Sequence, residues 1–533
     1  GGRGGRGRGW RGGGGVLGLV GSRAPLLIYG AARRWVGIHA ALWAAGVMAV
    51  YGTLIFYTGA LLRDWSVTVV DPLLLWVLGW AGSAVKARSP RWLAAGVVAG
   101  VTLWVKSTIQ VFLPFLLVWI ALRDGPRSAW RQWPAVVLLI LGMGLGLSPL
   151  IGRNLAVGAP ATAVSNRPIE GFVVANVDSN FHSLGFSYDP VLSAEVLERA
   201  GGSTKAAIVE TLKTYEGNWG MLPYRFWIKF RGLVDPFEIP NNLSPDYGRE
   251  VSATLAVLPG WPVVLPWAVA GLLLVGLRRP KRHGLLLLYG VAAMIAVLTL
   301  FVLARYRLTI LPFVAIYAGV GVAWWVASWA DRRWGRVVLG AVVVAGASLV
   351  QWQVMALPVV RGLTGKVAHP LSYKAAVIIS MERGDPATAM DALRRWQFHM
   401  EGLPRPAAVR MQDQIYGMEA AVIVYLVGAE LRAGRADVAD SYAPAYREIA
   451  EQAVDVSGVP PLAIPYARAG QWATALVLAE DYLKWGTSER WREQCAAIAE
   501  QAREQLTQTE PAPPSPGPRP GTPGGSEQAS PPD

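Results

Sequence analysis

Lys106, the pair Arg153-Asn154 and the string Arg305-Tyr306-Arg307 stand at the ends of apolar runs, and Arg63-Asp64 closes another such run. A cation beside the bilayer core costs several kcal/mol unless an anion meets it, so a lipid phosphate is the expected partner. The polar stretch between residues 153 and 255 adds Asp235, Glu238 and the pair Asn241-Asn242. This inventory fits group transfer from a lipid-linked phosphosugar, which needs a carboxylate to take the proton of an incoming hydroxyl and fixed cations for the departing phosphate. Phosphate is already a good leaving group, so no strong general acid is required, but its charge must be held in a partly dry site. Arginine suits that task because its planar fork makes two parallel bonds to phosphate oxygens.

The elements that must position these residues are apolar spans at 16–32, 39–62, 66–85, 92–105, 109–122, 135–151, 256–277, 284–303, 309–328 and 337–357. Most are long enough for a helix across about 30 Å of hydrocarbon. The two flanking Lys106 are short, so they form either a broken helix pair or two steep spans meeting near the outer surface. Alternate turns carry the charge: Arg33-Arg34; then Lys86, Arg88 and Arg91; then Arg123, Arg127 and Arg131; then Arg278, Arg279, Lys281 and Arg282; then Arg332, Arg333 and Arg336. By the positive-inside rule these turns are cytoplasmic, which puts Asp64, Lys106, Arg153, Asn154, Arg305, Tyr306 and Arg307 on the outer side. The expected fold is therefore all-α: a polytopic helical membrane protein of about ten spans, followed by a soluble helical repeat domain.

Composition agrees, with 53% hydrophobic residues, 16% charged residues and 24 Trp, many near span ends where indole prefers the interface. The formal charge of +14 is spent largely on the basic turns and the first eleven residues, so it reports orientation and not a nucleic-acid partner. A single cysteine, Cys495, excludes an intramolecular disulfide and reads as a buried small apolar residue. The five histidines lack ligand spacing, and no phosphate-binding loop, dinucleotide fingerprint or nucleophile elbow occurs.

Four regions follow. Residues 1–15 are a Gly/Arg string too rich in glycine to order itself; 16–360 form the membrane domain with a large outer loop at 153–255; 361–508 are soluble and helical; 509–533 are a Pro-rich disordered tail. In the soluble region Arg383-Gly384-Asp385, Ala433-Gly434-Arg435 and Ala469-Gly470-Gln471 each end one helix and start another, with alanines following at helical spacing. The pattern resembles degenerate tetratricopeptide repeats, whose unit is about 34 residues, and such a stack usually takes a protein or sugar partner. An even span count puts it outside.

The strings AARRWVGIHAALWAAGVMAVYGTLIFYTGALLRD, RWLAAGVVAGVTLWVKSTIQVFLPFLLVW, LSPLIGRNLAVGAP and LARYRLTILPFVAIYAGVGV carry a likeness in their order, spacing and sidedness. Through them the chain resembles the membrane glycosyltransferases of the GT-C superfamily, of the dolichyl-phosphate-mannose protein mannosyltransferase and aminoarabinose transferase type. The resemblance implies a polyprenyl-phosphate sugar donor, inverting transfer on the extracytoplasmic face to a glycan, lipid or protein acceptor, and a divalent metal ion near the acidic residues. It implies a catalytic or metal-ligating role for Asp64, and donor contacts for Lys106, Arg153, Asn154, Arg305, Tyr306 and Arg307. Glu238 and Asn241, in DPFEIPNN, are implied as further substrate contacts. Members begin with another span and an outer loop whose Asp or Asp-Glu is base or metal ligand. Here the Gly/Arg string stands where that loop should end, so the expectation is either an N-terminally incomplete or misread chain or one that lacks the principal catalytic acid. The expected location is a bacterial inner membrane.

Plainer readings run alongside. Asp64 would serve as a helix cap, Asp71 before Pro72 as a cap more than a site residue, and Lys106 and Arg153 as snorkelling side chains. Asp235, Glu238 and Asn241 would belong to a solvated surface. At the level of function, a non-catalytic scaffold presenting the repeat domain and a flippase for lipid-linked sugars compete with the transferase.

Overall fold

The computed structural model describes residues 21–59, 66–84, 86–125, 130–161, 168–178, 190–239, 244–355, 376–381, 383–385, 388–394, 405–452 and 460–509. Asp64, Asn241, the Gly/Arg string and the Pro-rich tail lie outside them. The chain divides into two units, Gly1–Ser372 and Tyr373–Asp533. Every regular element among the described residues is helical.

In the first unit the helices are α1 (Ala24–Val36), α2 (Ile38–Val50), α3 (Gly52–Gly59), α4 (Val67–Gly82), α5 (Arg91–Val105), α6 (Phe112–Leu122), α7 (Trp133–Ala156), α8 (Pro168–Asn176), α9 (Pro190–Ala200), α10 (Thr204–Lys213), α11 (Met221–Val234), α12 (Pro245–Val251), α13 (Ala253–Val257), α14 (Trp261–Gly271), α15 (Pro280–Thr299), α16 (Ala304–Arg307), α17 (Leu311–Ala330) and α18 (Trp334–Val350). Several begin with proline in the first two positions, where its missing N–H costs nothing and its fixed φ suits a helix.

Among the described residues five helices are long and apolar enough to cross a membrane: Trp130–Ala156, Ala253–Gly276, Arg282–Thr299, Leu311–Ala330 and Trp334–Val354. A sixth candidate is Ile38–Val50 with Gly52–Gly59, bent by 49°. Val67–Gly82, Arg91–Val105 and Ser107–Leu122 are shorter apolar helices, and the last two are the short pair expected around Lys106.

α5 and α7 pack with their backbones in contact. Gly96 and Gly100 on one helix face Gly142 and Gly146 on the other, and a Cβ on Gly142 would lie 2.1 Å from the carbonyl oxygen of Leu93. Small residues four apart on both helices permit this approach, which in a bilayer supplies dispersion contact where the hydrophobic effect gives no net drive. Of the five long apolar helices α17 is the most enclosed, with Leu311, Ala315, Ile316 and Tyr317 fully buried in the common core.

Contacts between turns fix which ends belong together. Arg34 donates to the carbonyl of Gly79 at 3.2 Å, Arg91 to Ser83 Oγ at 3.4 Å, and Arg123 to the carbonyls of Gly82 and Ala84 at 3.1 and 3.2 Å. The first three basic turns therefore meet at one end of the bundle, here called the basic end. Near the other end α8, α9 and α10 surround a small core of their own, built on Val173, Val177, Val196, Ala200 and Ala207.

The second unit contains α19 (Arg405–Arg432), α20 (Ala436–Asp440), α21 (Ala443–Gln452), α22 (Ala463–Arg468), α23 (Trp472–Trp485) and α24 (Glu489–Thr509). Its core includes Ala420, Ile423, Val427, Tyr446, Tyr466, Ala475, Tyr482 and Cys495. Burial pushes the Cys495 thiol up to about 11, so it is not a thiolate nucleophile. The three glycine turns share one geometry. Gly384, Gly434 and Gly470 have φ of 76°, 76° and 75°. In each, the N–H after the glycine bonds a carbonyl five residues back: Asp385 to Ser380, Arg435 to Glu430 and Gln471 to Tyr466. That is the Schellman ending, and its left-handed residue is why glycine recurs there.

Candidate functional site

Three interruptions of the apolar helices gather at the end opposite the basic turns. Tyr51, between α2 and α3, is extended (φ −69°, ψ 105°); so are Lys106, between α5 and the turn Ser107–Val111 (φ −147°, ψ 112°), and Leu303, before α16 (φ −130°, ψ 157°). Broken backbone at membrane depth is tolerated only where protein or a water-lined cavity surrounds it, so such breaks mark functional sites.

Glu238 follows α11 and is buried. Its Oε1 accepts from the Tyr51 hydroxyl at 2.7 Å and from Thr53 Oγ1 at 2.8 Å. Its Oε2 lies 3.7 Å from the guanidinium of Arg307. Arg307 is itself 1% exposed. It donates to the carbonyl of Phe237 at 2.7 Å and to that of Gly232, and its guanidinium sits 5.3 Å from the ring of Trp261. Trp261 in turn donates to the Leu233 carbonyl at 3.0 Å, and Ala304 N–H to Ile239 at 2.7 Å. Glu238 and Arg307 thus tie the break at Tyr51, the end of α11 and the start of α16 into one unit.

Beside it lies Tyr306, with two cations on its ring: Lys106 Nζ at 5.1 Å from the centroid and the Arg305 guanidinium at 4.8 Å. Arg305 also reaches the Tyr306 hydroxyl at 3.1 Å. Arg305 and Tyr306 are half-buried and Lys106 is buried. Asp71 is within electrostatic range of Lys106. The Tyr289 hydroxyl lies 2.7 Å from Asp71 Oδ2 and 2.9 Å from the Thr309 carbonyl.

Asp71 corrects the expectation that it caps its helix. Ser66 occupies the N-cap position and the helix runs from Val67 through Pro72 to Gly82. Pro72 lies inside the helix and removes one of its backbone bonds, and the buried apolar residues on both sides outweigh that loss and the local preference of a pre-proline residue. The carboxylate is left 3% exposed inside an apolar span. A carboxylate at that depth is costly and requires a partner, and an acidic residue inside an apolar run is the sequence signal that could have found it.

Arg153 and Asn154 meet each other at the end of α7, where Arg153 donates to Asn154 Oδ1 at 3.3 Å. Arg153 is exposed in the last turn of α7, and Asn154 Nδ2 bonds the carbonyls of Pro160 and Ala161 at 3.3 and 3.4 Å, which shapes the chain leaving that helix. Asp235 is buried and bonds the Phe237 N–H at 2.9 Å. Nearby Asp246, which pairs with Arg249 at 2.8 Å, is pushed up to about 6 by burial, against the pull of Arg249 and with the charge of Glu238 adding to the rise.

Further along the same face Lys229 of α11 is buried, donating to Asn176 Oδ1 at 2.8 Å and the Leu300 carbonyl at 3.0 Å, with no carboxylate within ion-pair distance among the described residues. Burial, then the charge of Arg225, pushes its ammonium down to about 7. Sequence reasoning passed over this lysine, because one charge on an amphipathic helix looks like a solvated one.

No three His, Cys, Asp or Glu side chains gather to hold a metal ion among the described residues. Of the described carboxylates, Asp71 is within electrostatic range of Lys106 and Glu238 faces Arg307. Asp64, to which the resemblance gave a catalytic or metal-ligating role, lies outside the described residues.

Comparison with protein-family models, curated proteins and solved structures found no match. The chemistry of the site therefore rests on its geometry.

Proposed function

We propose that the chain is an integral-membrane glycosyltransferase that moves a sugar from a polyprenyl-phosphate donor to an acceptor hydroxyl. The reaction takes place at the end carrying Lys106 and Arg305, which the charge of the opposite turns makes extracytoplasmic. The observation that carries the reading is the pair of cations on Tyr306 where three apolar helices are interrupted. A phosphate oxygen group there meets charge, a phenol and a partly dry surface, while the polyprenyl chain runs along the spans.

The acceptor oxygen attacks the anomeric carbon, the bond from that carbon to the phosphate oxygen breaks, and the phosphate leaves with the electron pair. Lys106 and Arg305 hold the charge that develops. Asp64 is the carboxylate assigned to the acceptor proton by the resemblance. Arg307 and Glu238 are positioning residues, since both forks of Arg307 are spent on main-chain carbonyls and on Glu238. On this reading the long helices, the bent pair, the three shorter apolar helices and α1 together make the ten spans of a bacterial inner-membrane protein, and the second unit is a tetratricopeptide-like partner-binding domain outside.

Proteoliposomes holding the full chain, given polyprenyl-phosphate donors labelled in the sugar, test the proposal. Label in a glycan, lipid or protein acceptor is the expected result. Donor that crosses the bilayer unconsumed would instead identify a flippase. Neither transfer nor movement for any donor would leave the scaffold reading.

A further inference from the structure

The basic end holds a cavity of about 1120 Å³ between α1, α4, α6 and α15. Its room comes from glycines: a Cβ on Gly82 would stand 2.8 Å from Trp119, and one on Gly79 would stand 3.3 Å from both Arg34 and Trp35. Arg34 lines it directly, and Arg91 reaches its rim through Ser83. Both guanidiniums come within 3.4 Å of Ser83 Oγ, whose own proton goes to the Trp80 carbonyl at 2.7 Å. Neither arginine has a carboxylate partner among the described residues. Arg123 does, in Asp124 at 3.4 Å, and Asp124 also takes a bond from Gln132 at 2.5 Å. The indole Nε1 of Trp35, on the cavity wall, is buried and has no hydrogen-bond partner.

Two uncompensated guanidiniums converging on one point, next to an orphaned N–H donor, make a site for an oxyanion. The apolar side of the same cavity is formed by Val118 and Leu122, which are 51% and 50% exposed along α6, and by Leu288. A soluble phosphate has no use for that flank, whereas a phospholipid places its glycerol and acyl chains there.

We propose that this cavity binds the phosphodiester headgroup of an anionic phospholipid from the leaflet facing the basic end. The inference rests on the chain spanning a membrane and does not depend on sugar transfer. It adds a lipid site at the end opposite the donor site, built from charges that the orientation rule alone would leave as diffuse attraction.

The test is thermal unfolding of the full chain in detergent, titrated with phosphatidylglycerol, with phosphatidylcholine and with inorganic phosphate. Phosphatidylglycerol is expected to stabilise saturably where the other two do not. The double variant Arg34→Gln/Arg91→Gln is expected to weaken its apparent affinity about tenfold or more. The control Arg332→Gln/Arg336→Gln, on the fifth basic turn, is expected to leave it unchanged. Should the double arginine variant not fold, Ser83→Asp places a carboxylate between the two guanidiniums and is expected to abolish the lipid effect in a folded protein. Equal affinity in the cavity variant, or an equal loss in the control, would overturn the proposal. So would stabilisation by inorganic phosphate matching that by phosphatidylglycerol.

Discussion

The Tyr51 hydroxyl donates to Glu238 at 2.7 Å across 187 residues of sequence, and this bond joins a break in an apolar helix to the carboxylate that holds Arg307. Because Glu238 and Arg307 are both about 1% exposed, removing the charge of one strands the other. Glu238→Gln is expected to cost about 3 kcal/mol of stability, since breaking a buried ion pair leaves an uncompensated charge. Chemical or thermal unfolding in detergent reads this, and an unchanged midpoint would mean that solvent reaches the pair.

Glycines on α7 separate into two kinds. A Cβ on Gly142 meets the backbone of α5, while one on Gly144 meets nothing within 4 Å. Gly142→Ala is expected to lower the unfolding midpoint strongly by forcing α5 and α7 apart. Gly144→Ala is expected to be neutral or to stabilise by up to about 1 kcal/mol through helix propensity. Equal effects at the two positions would contradict the close packing.

Lys229 gives a pH dependence with a definite sign. Its folded ammonium titrates near 7, below the 10.5 of the ordinary side chain, so between these values the unfolded chain binds the extra proton. Stability from this group should therefore rise as pH increases from about 7 towards 10.5, and the cost of the buried charge is fully present below 7. Lys229→Met is expected to flatten that rise in midpoints measured across the range. A slope identical to that of the parent protein would show that Lys229 stays charged.

Arg305 and Arg307 are two residues apart and differ in role. Arg305→Gln is expected to leave the unfolding midpoint within about 0.5 kcal/mol of the parent, as for a half-exposed side chain, and to weaken binding of polyprenyl phosphate. Arg307→Gln is expected to destabilise by several kcal/mol, because the Glu238 carboxylate loses its counter-ion. The opposite pattern would exchange their assignments.

Much of the helical order was legible because apolar runs longer than ordinary core segments leave few alternatives, and because basic turns at alternate ends gave the register. Lys106 and Arg305 stood out for the same reason, as cations against that register. The inward turn of Arg307 was not legible: its partners are the carbonyls of Gly232 and Phe237, brought close only by the fold. Asp71 was misread because the pre-proline preference was given more weight than burial of the span around it. The glycine pairs at 96 and 100 and at 142 and 146 were visible as small residues four apart, but which helices they join depends on the packing.

The most direct measurement is the release of free polyprenyl phosphate from a polyprenyl-phosphate sugar by proteoliposomes, comparing the parent chain with Lys106→Gln/Arg305→Gln. Acceptor-dependent release by the parent, lowered at least about a hundredfold in a double variant that remains folded, is the expected result, since two charge-stabilising contacts are each worth about tenfold or more. Release that is equal in both proteins, or absent from the parent with every donor and acceptor, would contradict the assignment of this cluster to phosphate-linked sugar transfer.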